Sequence, residues 1–128
     1  MKRVTGIGGV FLKSRDPKAL AAWYRNHLGI DVQEWGGAVL PWKSAENPDG
    51  SGSTTCSLFA EDTRYFAPSN ANFMVNHRVE NVRALIAVLR AEGVQVVGEV
   101  EETEHGSFGW IMDPEGNKLE LWEPPAGQ

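Results

Sequence analysis

The stretch Asp113-Pro114-Glu115-Gly116-Asn117-Lys118-Leu119-Glu120-Leu121 decides the fold. Its proline presets φ and its glycine is free to take positive φ, so Asp113–Gly116 reads as a turn joining two strands in a hairpin. An echo, Asn47-Pro48-Asp49-Gly50, lies 66 residues earlier. Further back, Asp16-Pro17 supplies a helix cap and a proline for the first helical position. Leu20, Trp23, Tyr24, His27 and Leu28 then fall on one helical face, and Gly29 sits where a C-terminal cap belongs. Asn81 caps a second such face, Val82, Leu85, Ile86 and Leu89, closed by Gly93. Asp16 and Asn81 are 65 residues apart; Gly29 and Gly93 are 64 apart. Ile7–Leu12 and Phe73–Val79 read as strands before the helices, with Ile30–Val32 and Val94–Val97 extended after them. Each half thus predicts a strand, a helix and three strands.

The expected architecture is α+β: two tandem βαβββ modules, about 4–64 and 72–124, within one domain spanning 1–128. A long period occurring twice indicates duplication inside a domain rather than a solenoid. Each sheet can cover one face with its own helix. The remaining faces, curled together, form a curved half-open barrel around a hollow that suits one small molecule.

Composition narrows the function. The 128 residues are 41% hydrophobic and 23% charged, enough for a packed core and unlike a disordered chain. A formal net charge of −5 argues against a nucleic-acid partner, which needs a basic face, and favours neutral or cationic ligands. A single cysteine, Cys56, excludes an intrachain disulfide and a multi-cysteine zinc cluster. The N-terminal stretch is too short and glycine-interrupted for a signal sequence, and no run approaches a membrane span; a cytoplasmic protein is the expectation.

Three segments carry a family resemblance: Gly9–Asp16 with its helix through Gly29, Met74–Asn81 with its helix through Gly93, and Asp113–Leu121. The last is similar to the DPxGN turn and Glu-Leu strand of the vicinal-oxygen-chelate superfamily, which includes glyoxalases, bleomycin-resistance proteins and extradiol dioxygenases. The resemblance implies four metal-ligand positions on the concave face. Here they hold Gly9, Met74, Glu120 and, depending on register, Cys56 or Thr54. Glycine offers no donor and a thioether is a poor ligand for the hard divalent metals, so no metal and no cofactor is expected. If a divalent ion did bind, Glu120 is its ligand.

Strand parity from Gly9, Met74 and Glu120 then nominates the cavity wall: Phe11, Lys13, Cys56, Leu58, Asn76, Arg78, Lys118 and Trp122. The resemblance adds Trp110, ten residues before Glu120, at the position of a functional aromatic in the family's dioxygenases; Phe108 shares its parity. Trp35 and Trp42 lie on module-one strands whose facing is not fixed by pattern. Trp23, on the helix face, is expected in the core, and His77 on the face opposite Met74. A buried Glu120 without metal serves as a general acid or base, or pairs with Arg78 or Lys13, the pairing being favoured. Cys56 reads as an inert thiol unless a base or cation activates it. His105, beside Glu104 in a polar hairpin loop, is placed for a rim role, and the loop 43–53 is long and polar enough to act as a lid.

The leading expectation is a small-molecule binder like the family's bleomycin-resistance proteins, holding an aromatic or partly apolar ligand without metal. Its alternative is a glyoxalase-like lyase or isomerase using Glu120, His105 and Cys56, or a degenerate metal site. A third possibility is a partner protein whose cavity has no ligand. The resemblance also implies a homodimer.

Overall fold

A computed structural model describes residues 2–128. Its elements are β1 (Val4–Ser14), α1 (Pro17–Leu28), β2 (Gly37–Pro41), β3 (Ser53–Ala60), β4 (Phe73–Val79), α2 (Val82–Ala91), β5 (Glu101–Thr103), β6 (Gly106–Met112) and β7 (Lys118–Glu123). The seven strands form one mixed sheet in the order β2-β3-β1-β4-β7-β6-β5, curled into a half-barrel. Strands β1 and β4 pair antiparallel at its centre. On either side a parallel partner follows, β3 beside β1 and β7 beside β4, and then an antiparallel one, β2 and β6.

The capping chemistry explains where the helices start. Asp16 accepts from the Ala19 amide at 3.1 Å, with Pro17 next, and Asn81 accepts from the Ala84 amide at 2.9 Å. Gly29 takes the left-handed conformation that ends α1. The two turns repeat as well: the Gly50 amide donates to the Asn47 carbonyl and the Gly116 amide to the Asp113 carbonyl, each at 3.1 Å.

Packing beneath the two helices differs. Helix α2 buries Val82, Leu85 and Ile86 against Val79 and Leu121. It lies so close to β6 that a Cβ at Gly109 would stand 3.1 Å from the side chains of Val82 and Ile86, tighter than ordinary packing. Helix α1 buries only Ala21. Trp23 is not in the core: it is 50% exposed, its ring tilted against His27 with the centroids 4.9 Å apart. Of the three alanines in the helix, only Ala21 is buried.

Two extended segments stay outside the ladders. Ile30–Val32 joins no strand, so module one has two strands after its helix instead of three. With Asp31 interrupting the run, only Val32 is buried. Val94–Val97 contributes a single bridge, Val96 to Ile111, and the three strands of module two follow it.

Candidate functional site

The concave face holds a cavity of about 770 Å³. Strand β1 contributes Gly8 and Phe11, β3 contributes Thr55, Ser57 and Phe59, and β2 contributes Val39 with Trp35 just before it. From module two come Asn76, Phe108, Glu120 and Trp122, with Glu104 and His105 at the rim. A β-bulge in β1 places Gly8 at the wall, because Ile7 pairs with His77 and Gly9 with Asn76, leaving Gly8 unpaired between them. A Cβ on Gly8 would collide with Asn76 Oδ1 and the Trp122 ring.

Glu120 is the chemical centre of the wall and is only 1% exposed. Its Oε1 accepts from Asn76 Nδ2 at 2.7 Å, and its Oε2 accepts from Trp110 Nε1 at 2.8 Å and from the Tyr65 hydroxyl. Neither Arg78 nor Lys13 pairs with it, contrary to the expected ion pair. Lys13 Nζ lies over the Phe66 ring at 5.4 Å, and the Arg78 guanidinium lies over the rings of Trp42 and Trp122 and donates to the Gln128 carbonyl. Three neutral donors satisfy the acid instead. The Tyr65 hydroxyl is held in its protonated form, first by burial and then by the adjacent Glu120 charge. Lys118, which donates to the Tyr65 carbonyl at 2.9 Å, has its ammonium pKa lowered by burial, against the pull of Glu120.

Tyr65 and Phe66 belong to the segment 61–72 that links the modules, and sequence patterning gave them no role. Phe66 is completely buried with Met74 and Trp110, and Phe11, Phe59 and Phe108 pack around that cluster. The linker therefore plugs one end of the half-barrel, and Met74, Lys13 and Trp110 lie under or beside the plug rather than on the open cavity wall. The available signal was an adjacent aromatic pair in a polar connection, which rarely stays solvated as a pair.

Cys56 and Leu58 face away from the cavity. Gly9 pairs with Thr55 and Phe11 with Ser57, so Thr55, Ser57 and Phe59 share the concave face, while Cys56 and Leu58 share the other with Val10 and Leu12. A count of 64 back from Glu120 is one residue out of phase, and one residue inverts every side chain of a strand. Burial also pushes the Cys56 thiol up, disfavouring the thiolate. Trp42 is tied to Thr54 by a 2.8 Å hydrogen bond and packs over Gly6 and Gly52, at the end of the face where Arg78 lies. His77 is half-buried, and burial lowers its pKa. His105 is exposed, and its backbone carbonyl accepts from Trp122 Nε1 at 2.8 Å.

The donors present do not fit the metal implied by the superfamily. The ligand positions hold Gly9, Met74 under the plug, Glu120 with both oxygens engaged, and a hydroxyl residue of β3. Among the described residues no three His, Cys, Asp or Glu side chains converge on one point.

Comparison with solved structures supports the fold. Methylmalonyl-CoA epimerase from Mycobacterium tuberculosis matches with a TM-score of 0.66 at 22% identity, over 97% of this chain and 91% of that one. A variant of the Streptomyces coelicolor methylmalonyl-CoA epimerase, in complex with 2-nitronate-propionyl-CoA, gives 0.67 at 19%, over 96% and 99%. A structure described as NAD-dependent benzaldehyde dehydrogenase from Legionella pneumophila gives 0.62 at 13%, over 91% and 98%. No curated protein matches the sequence. The model of the glyoxalase-like domain matches residues 9–122, and the chain therefore belongs to that family, within the vicinal-oxygen-chelate superfamily.

Proposed function

We propose that this protein binds an aromatic or partly apolar small molecule in the concave cavity and does so without a metal. The observation carrying this reading is Glu120: a buried acid in an aromatic wall, its oxygens already taken by Tyr65, Asn76 and Trp110. The surrounding rings of Phe11, Phe108 and Trp122 supply the stacking surface. Titration with a panel of small ring compounds, followed by tryptophan emission, tests it. At least one compound should quench emission equally before and after chelator treatment, and Trp122→Leu should abolish most of the response. A flat response across the panel, or a stoichiometric metal in the purified protein, would overturn the reading.

The hydrogen bond between Tyr65 and Glu120 favours a second reading, a metal-free lyase or isomerase. In it Glu120 exchanges a proton with a substrate on the cavity wall and Tyr65 steadies the acid. Solvent deuterium incorporated into a bound panel compound, and lost in Glu120→Gln, would distinguish turnover from binding. Under either reading the protein acts in the cytoplasm as a homodimer. The apolar surface left on α1, with Trp23 and Leu28 exposed, supports association. Among the described residues no helix is long and apolar enough to cross a membrane.

A further inference from the structure

We propose that the cavity selects a planar cation bearing an N–H donor, such as a protonated amino-heterocycle. The inference rests on the binding reading above and specifies its ligand.

Charge is the first ground. The wall includes Glu104 and Glu120, and among the described residues no lysine or arginine lines it. The cations of the concave strands are engaged elsewhere. Lys13 lies over Phe66, Lys118 lies 5.6 Å from the Tyr65 and Trp110 rings, and Arg78 is held by Trp42, Trp122 and the Gln128 carbonyl. An anionic ligand would meet Glu104 and Glu120 on the wall, the nearest cations, Arg78 and Lys118, lying against the Trp122 and Tyr65 rings rather than projecting into the cavity.

Hydrogen-bond polarity is the second. A carboxylate only accepts, so the bond to Glu120 fixes the Asn76 amide with its nitrogen toward the acid and its oxygen away. That oxygen is buried on a residue 3% exposed, and it has no donor. It stands beside Gly8, another wall residue, in a space the Trp122 ring also crowds, so an incoming donor reaches it by displacing that ring. A buried acceptor without a donor is costly, and an incoming N–H relieves that cost.

Ring geometry is the third. Phe108 and Trp122 lie within 21° of parallel at 6.5 Å, presenting ring faces that attract a flat cation.

Calorimetric titration with four bicyclic compounds of similar shape tests the proposal. Protonated 4-aminoquinoline carries charge and N–H, 1-methylquinolinium charge alone, 1-naphthylamine N–H alone, and 1-naphthoate a negative charge. The first should bind about tenfold or more tighter than 1-naphthylamine, from charge desolvated against rings and acids. It should also exceed 1-methylquinolinium, an advantage that Asn76→Val removes, while 1-naphthoate binds weakest. Equal or tighter binding of 1-naphthoate or 1-naphthylamine overturns the cation selectivity and leaves the binding reading standing. If 1-methylquinolinium matches 4-aminoquinoline in the wild-type protein, the donor requirement falls. Binding of none of the four, with no response in the wider panel, overturns both.

Discussion

Tyr65→Phe isolates what the linker does for Glu120. It removes one of three donors from a buried acid while preserving the ring that stacks on Phe59. The expected loss is about 1–3 kcal/mol of folding stability, read from urea denaturation, because a buried acid loses one of its three donors. An unchanged midpoint would mean the hydroxyl contributes nothing. His77 gives a second residue-scale expectation. Burial lowers its pKa from 6.5, and its Nδ1 has no partner. The unfolded chain therefore takes up this proton first as pH falls. The neutral ring's contribution is full above about pH 6.5 and declines toward the folded pKa. The loss of stability between about pH 7.5 and about pH 5.5 should be smaller in His77→Gln than in the wild type. Glu120 was legible in the sequence because a turn and the strand after it match the family pattern, and Trp110 because the resemblance places an aromatic ten residues before that acid. Their hydrogen bond to each other was not, since parity gives a face and not a rotamer. Tyr65, arriving from a loop, leaves no periodic trace at all.

The linker 61–72 behaves as an element despite having neither helix nor strand. Phe66 anchors it, and Phe66→Ala should cost about 3–5 kcal/mol, the range for emptying a fully buried aromatic site. The same variant should raise the accessibility of Trp110 to a soluble quencher; stability lost without that change would mean the plug stays seated. The regular elements were largely readable. Caps at Asp16 and Asn81 and turns at Asn47–Gly50 and Asp113–Gly116 act through local chemistry, and local chemistry is what a sequence displays. The facing of β3 failed because it depends on a cross-strand pairing, Gly9 with Thr55, that spacing between the modules does not determine. Trp23 failed for a related reason: a helical face is periodic, but which side the sheet claims depends on how closely the backbones approach.

For the whole molecule, the contrast between the helices carries the expectation about assembly. Helix α2 is sealed onto its sheet, whereas α1 leaves Trp23 and Leu28 half exposed. If the proposed homodimer forms through this side, sedimentation should show two chains for the wild type and one for a Trp23→Ser, Leu28→Ser double variant, with both folded. A wild type that sediments as one chain would remove the dimer. The overall plan was visible as a repeat, since duplication copies caps and turns together.

Duplication normally yields two equivalent walls, yet these have diverged. Asn76 and Glu120 sit side by side on β4 and β7, while the corresponding neighbours on β1 and β3 are Phe11 and Ser57. The cradle thus has a head and a tail. A lopsided guest can lie in it only one way round, and two mirror-image guests should not fit alike.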